Sequence, residues 1–336
     1  MAYSILASVQ WYFQGRSRYG VRGYEQMLAK HSSAAPTKDL SSHHFIVTGA
    51  NSGIGKAVAE QLAAAGAHVH MVCRNPDRGE AAKQDVAKLA PSADHVHLHI
   101  ADLSKMSEVH RFADSFASQT SVLHGLVNNA GMLMDKQVIT EDNIESSRAV
   151  ALLGTYLLTS RLLPLLQAAP DVGRVVNMSS GGQFLVSLDT DDVRGVGPAY
   201  TSRKYDGTMA YGQAKKCQVA LTRQFARRFP LASTRVAFHA MNPGWAITSG
   251  TEQALEGFTK WHRHVMRDAH QAADTATWLC VSDQGGASSG LFYLDREPVA
   301  TEMPLSGTGY TDADLDKLWA ACADMFHFDP TEPQKL

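Results

Sequence analysis

The stretch HHFIVTGANSGIG, residues 43–55, continued by KAVAEQLAAAG, residues 56–66, decides the fold. Its apolar and β-branched start reads as a buried strand, its glycines as a tight turn, and its alanine-rich continuation as a helix. Reading outward, the same alternation repeats along the chain. Strand-like runs fall at 43–49, 68–74, 95–102, 123–131, 174–180, 235–242 and 290–295, and helices fit at 54–65, 77–89, 105–118, 141–168, 208–229, 271–282 and 312–326. This pattern demands right-handed β-α-β crossovers, and hence a parallel sheet covered on both faces. The expectation is one α/β domain, doubly wound, with about seven strands in the order 3-2-1-4-5-6-7. Residues 184–207 exceed an ordinary connection and read as an active-site insertion.

The 336 residues are 44% hydrophobic and 19% charged, which excludes wholesale disorder, and 31 basic against 33 acidic side chains give no positive field for nucleic acid. Cys73, Cys217, Cys280 and Cys322 lie far apart, so neither a zinc knuckle nor a redox pair is indicated and a reducing, intracellular compartment is expected. No stretch approaches the ~20 apolar residues of a membrane span, which leaves only peripheral contact. The chain divides into an amphipathic, basic extension (1–40), a single dinucleotide-binding and catalytic domain (41–300) and a tail with one helix (301–336). The extension opens MAYSILASVQWYF and carries Arg16, Arg18 and Arg22 before its first acid, Glu25. It reads as an interfacial anchor through residues 1–25, as an organelle (mitochondrial) transit segment, or as a lead helix packed on the body. Residues 32–42 read as a linker.

The glycine turn offers backbone N–H groups and a helix N-terminus to a pyrophosphate, making Gly49, Asn51, Ser52, Gly53, Ile54 and Gly55 candidate cofactor-binding residues. At the end of the second strand a carboxylate would favour NAD. Arg74 stands there instead and can pair with a 2′-phosphate, which selects NADP(H), with Asn51 and Ser52 as neutral helpers. Asp102 with Leu103, and Asn129, Ala130 and Gly131, close the third and fourth strands, where ligands bind in open α/β sheets. Asp102 reads equally as a helix cap. Pro243 and Thr248 in NPGWAIT end a later strand, Thr248 within reach of a nicotinamide carboxamide and Trp245 able to wall a pocket.

Tyr211 and Lys215 stand four apart, on one helix face. An adjacent ammonium stabilises a phenolate, so Tyr211 is expected to have a lowered pKa and to exchange a proton with a carbonyl or alcohol oxygen. Tyr200 and Lys204 share the spacing but lie in the polar insertion, without helical context. Ser180, at a strand end, can donate to the substrate oxygen.

The order of VTGANSGIG, the Asp102-Leu103 pair, NNAG, Ser180, YGQAK and PGWAIT resembles the short-chain dehydrogenase/reductase family over about residues 43–295. The resemblance implies a Rossmann-type fold, hydride transfer at nicotinamide C4, Ser180 orienting the substrate, Tyr211 as general acid/base and Lys215 assisting it. One departure stands out: where the family places an Asn supporting a water relay from the lysine, AVALLG has Ala151. Two functions follow as expectations. The first is an NADP(H)-dependent oxidoreductase for a lipophilic carbonyl or alcohol; the second is a nucleotide-binding regulatory or scaffold protein with impaired catalysis. The chain is expected to be a monomer or homodimer, cytoplasmic or peripheral on an organelle membrane.

His68 and His70 share a face of one strand, and His95, His97 and His99 a face of the next. A metal there would lack an open position beneath helices, so no metal is expected. Met132, Leu133, Met134 and Phe184 are candidate pocket residues, though each fits a core equally well.

Overall fold

A computed structural model describes residues 5–31, 39–201, 205–304 and 306–332. The strands are β1 (His44–Thr48), β2 (His68–Cys73), β3 (Val96–Ile100), β4 (Gly125–Asn128), β5 (Gly173–Met178), β6 (Val236–Met241), β7 (Leu291–Leu294) and β8 (Glu297–Val299). They form one sheet in the order β3-β2-β1-β4-β5-β6-β7-β8, parallel except for β8. The doubly wound expectation therefore holds, with one strand more than sequence patterning indicates. Asp295 and Arg296 both take the left-handed conformation, φ 56° and 60°, and turn β7 back into β8. A two-residue turn of this kind is usually written Asn-Gly, so Asp-Arg hides the hairpin from a sequence reading.

The helices are α1 (Ile5–Gln14), α2 (Val21–Lys30), α3 (Gly53–Ala64), α4 (Pro76–Ala87), α5 (Met106–Gln119), α6 (Ser146–Gln167), α7 (Gly207–Arg228), α8 (Ser249–Ala254), α9 (Glu256–His262), α10 (Ala269–Val281) and α11 (Asp312–Phe326). Val58 and Leu62 of α3, Val86 of α4 and Leu279 of α10 fill one face of the sheet. Phe116 of α5, Leu152 to Leu166 of α6, Phe225 of α7 and Trp319 of α11 fill the other. The C-terminal helix is thus core rather than an appended tail: Trp319 meets Tyr156 and Phe225 at 4.8 and 5.0 Å between ring centroids. α6 is long and apolar enough to cross a membrane, contrary to the count of apolar residues, but 83% of its apolar window is buried within the fold. Its middle, Leu153–Leu158, widens into a π-turn.

Residues 5–31 lie against the body. Tyr19 is buried, its carbonyl accepts from Trp245 N at 2.7 Å, and Val21 N donates to Val265 O at 2.9 Å. Buried Arg267, paired with Asp295 at 2.6 Å, also donates to the carbonyls of Gly20 (3.1 Å) and Arg18 (2.9 Å). A guanidinium that holds one carboxylate and two carbonyls of the N-terminal segment ties that passing chain firmly to the sheet edge. Of the linker 32–42, residues 32–38 fall outside the described residues.

Candidate active site

The loop after β1 needs its glycines. Gly49 and Gly53 have φ of 64° and 55°, and a Cβ on Gly55 would sit 2.3 Å from Asn129 Nδ2. Thr48 Oγ1 accepts from the N–H groups of Asn129 and Ala130 at 3.0 Å each, while Asn129 Nδ2 donates to Thr48 O at 2.8 Å. These bonds lock the ends of β1 and β4 side by side. Ser52 holds the N-cap position of α3 without a side-chain cap bond, so the first-turn N–H groups, Ile54 among them, suit an anion. Thr248 closes over this loop, its Cγ2 3.2 Å from a Cβ built on Gly53, and its hydroxyl caps α8. Arg74 is exposed at the end of β2. Asp102 uses Oδ1 to accept from Ser104 N and Oγ at 3.0 and 2.7 Å, a loop-forming role, with Leu103 buried beside it. Pro243 O accepts from Arg267 at 3.4 Å. The geometry of this cradle fits a dinucleotide.

Ser180 follows β5 and Tyr211 opens α7, which Asp206 caps by accepting from Met209 N at 3.0 Å. The two side chains flank Gly182, Ser180 Oγ 3.8 Å and Tyr211 Cδ1 4.0 Å from a Cβ built there, and Ser180 Oγ accepts from Gly182 N at 3.2 Å. Lys215 lies one turn on, its Nζ 5.5 Å from the Tyr211 ring centroid and 3.1 Å from a Cβ built on Gly131. Lys215 Nζ donates to Met178 O at 2.7 Å and to Gln218 Oε1 at 2.8 Å. Ser179 Oγ secures the same turn through Lys215 O at 2.9 Å. Serine, tyrosine and lysine thus converge at the carboxyl ends of β4 and β5.

Burial raises the pKa of the enclosed Tyr211 hydroxyl, although the ring keeps some exposure, and the Ser180 hydroxyl pulls the other way. Burial also pushes the Lys215 ammonium down to about 7. This corrects the expectation of a lysine-lowered phenol: desolvation dominates, and the two identified ammonium bonds run to Met178 and Gln218.

A cavity of about 380 Å³ is lined by Leu133, Met134, Asp135, Tyr205, Asp206, Gly207, Thr208 and Ala254, between the end of the NNAG loop and the start of α7, so its wall mixes apolar side chains with two carboxylates. Trp245 is not part of it. That indole packs on Trp11, Tyr19 and Phe258 at 5.4, 6.1 and 4.9 Å, so it receives the N-terminal segment instead. Phe184 lines a different cavity, of about 310 Å³, with Tyr19, Asn242 and Phe292. Tyr200 is structural: buried Arg148 lies 4.5 Å over its ring and donates to its hydroxyl, which donates to Asp189 at 2.8 Å. Lys204 lies outside the described residues. Among the described residues no cluster of metal-ligating groups forms, and the strand histidines instead stack on one another. Gln218 and Thr155 are the residues sequence reading missed; the available signal was Gln218's place three after Lys215 on the same helix face.

A sheet with this order and this serine, tyrosine and lysine at its carboxyl edge define a short-chain dehydrogenase/reductase, and the chain belongs to that family. The short chain dehydrogenase model matches residues 43–187. Human dehydrogenase/reductase SDR family member 12 is 37% identical over 94% of this chain and 96% of its own. Human retinol dehydrogenase 12 is 34% identical over 74% of this chain and 77% of its own. An uncharacterised protein of Mycobacterium paratuberculosis superposes with a TM-score of 0.66 at 28% identity, covering 85% of this chain and 93% of that one. Members of the family are oxidoreductases that use a nicotinamide cofactor.

Proposed function

We propose that this protein is an NADP(H)-dependent oxidoreductase that interconverts a carbonyl and an alcohol on a lipophilic small molecule. The observation that carries the proposal is the convergence of Ser180 and Tyr211 around Gly182, with Lys215 one turn further along α7. Gly49, Asn51, Ser52, Gly53, Ile54, Gly55, Asp102, Leu103, Asn129, Ala130, Gly131, Pro243 and Thr248 shape the cofactor cradle, and Arg74 takes the 2′-phosphate. Bound nicotinamide supplies the hydride donor or acceptor. Ser180 donates to the substrate oxygen, Tyr211 gives that oxygen its proton on reduction or removes it on oxidation, and Lys215 supports the phenolate that results. The kinship with retinol dehydrogenase 12 favours an apolar substrate.

Tyr211→Phe tests this reading. NADPH oxidation across aldehydes, ketones, retinoids and steroids should fall by about 100-fold or more, while NADPH affinity stays within about twofold. A wild-type chain that binds NADPH but oxidises none of it across that panel would return the protein to the regulatory or scaffold reading.

We further read α1 as a peripheral membrane contact. Its inner residues pack on the body, whereas Ile5 and Phe13 are 82% and 69% exposed, and Trp261 of the adjoining α9 is 79% exposed. Exposed Arg16 directly after α1 and Lys260 beside Trp261 add positive charge near these apolar side chains, which anionic headgroups attract.

A further inference from the structure

The environment of Lys215 contains a carboxamide that the reaction described so far does not use. Gln218 is buried, its Oε1 accepts from Lys215 Nζ at 2.8 Å, and its Nε2 donates to Thr155 Oγ1 at 3.0 Å. A glutamine side chain rotates about several bonds, so a carboxamide tied at both its oxygen and its nitrogen is one whose orientation has been settled. Behind it the polar contacts continue: Gln218 O accepts from Thr222 Oγ1 at 2.7 Å, Thr222 Oγ1 accepts from Asn177 Nδ2 at 2.9 Å, and Asn177 Oδ1 accepts from Asn128 Nδ2 at 2.8 Å. This network joins α7 to β4 and β5.

Its foothold on α6 is Thr155. Ala151 and Thr155 are one turn apart on that helix, both buried, so they share a face, and Thr155 lies in the π-turn Leu153–Leu158. Ala151 has no polar atom with which to address the lysine. Thr155, one turn further along, reaches it through Gln218.

We propose that Gln218, held from behind by Thr155, is the positioning residue for Lys215, delivering from α7 the carboxamide that α6 does not supply at Ala151. An ammonium has three N–H groups. Met178 O and Gln218 Oε1 take two, and the third remains for the side of the pocket where Tyr211 and Gly131 lie. Gln218 therefore sets which way the lysine offers that proton, and it favours the charged form of a group whose burial works against charge. Tyr211 is the titratable group that faces the ammonium, its ring centroid 5.5 Å from Nζ, and Lys216 turns to Gln183 O, to which it donates at 3.3 Å.

This inference rests on the proposed role of Lys215, and its test separates the two. In the full-length protein without added cofactor, the Lys215 ammonium is titrated by NMR of carbon-labelled lysine, with Lys215→Met identifying its signal. Gln218→Leu should lower that pKa by about one unit, and Gln218→Glu should raise it, because the first removes a neutral acceptor and the second adds a charged one. Thr155→Val should lower it by less, and Thr155→Ser should restore the wild-type value. With a turned-over substrate, kcat for Gln218→Leu should fall about tenfold with KM little changed, and the pH limb of kcat should move in the direction of the lysine. If Gln218→Leu does not fold, the Thr155→Val and Thr155→Ser pair carries the test. Identical lysine titrations in the wild type and the folded variants would overturn the proposal. A shifted titration in a protein that reduces no carbonyl would sustain the glutamine's role and remove the catalytic reading instead.

Discussion

Arg74 is exposed at the end of β2, a strand end that faces the glycine loop in a doubly wound sheet. A guanidinium grips a phosphate through two parallel hydrogen bonds, a geometry that a ribose hydroxyl cannot return. Replacing it with alanine should raise KM for NADPH about 10- to 100-fold and leave KM for NADH within about threefold. Steady-state kinetics with both cofactors would decide, and equal losses for both would remove Arg74 from cofactor selection. At this scale much of the candidate site was legible. Tyr211 and Lys215 could be distinguished from Tyr200 and Lys204 because only the first pair begins an amphipathic helix. The direction of Tyr211's pKa was not legible, since spacing shows which charge is near but not how deeply the hydroxyl is enclosed or where the ammonium spends its hydrogen bonds. Gln218 escaped for the same reason: a side chain that works from behind the pocket leaves no motif.

Among the elements, strands and helices of the doubly wound body followed from apolar runs and glycine turns, and α11 begins and ends where its pattern does, Asp312–Phe326. Failures came where the backbone departs from regular geometry. The Asp295-Arg296 turn pairs two non-glycine left-handed residues, and the π-turn of α6 interrupts a helix whose sequence period continues through it. The N-terminal segment was ambiguous because α1 has two apolar faces. One meets Trp245 and Phe258 through Trp11, which the sequence alone cannot show; the other displays Ile5, Val9 and Phe13. That outer face yields a prediction. Full-length protein should float with vesicles containing phosphatidylserine, and a variant combining Ile5→Glu, Phe13→Glu and Trp261→Ser should stay in solution with its melting temperature within a few degrees of wild type. Equal flotation of both proteins would show that the exposed face has another use.

The sheet as a whole carries a histidine network whose consequence is a property of the entire molecule. His44, His70 and His99 stand on β1, β2 and β3 and connect ring to ring, Nδ1 of His44 to Nε2 of His70 at 3.0 Å and Nδ1 of His70 to Nε2 of His99 at 3.1 Å. His68 and His97 stack alongside at 5.7 Å, and Phe116 of α5 closes over His70 at 4.9 Å. Burial first, and then the neighbouring imidazoles, lower the pKa of His70 to about 2 and that of His44 to about 4; His99 falls to about 4. In the unfolded chain each of these rings titrates near 6.5. Above that pH both states are neutral and the network leaves stability independent of pH. Below it the unfolded chain takes up protons that the folded sheet refuses, so stability falls steadily toward pH 4, with His70 extending the loss to about 2. For buried His70 alone the slope is about 1.4 kcal/mol per pH unit. Thermal unfolding at pH 8, 7, 6 and 5 should show a plateau followed by a steep decline, and His70→Leu should flatten the decline while leaving the plateau to report packing. A melting temperature that stays level from pH 7 to 5 in the wild type would mean that the sheet accepts these protons, and that the imidazoles are not held neutral by their burial.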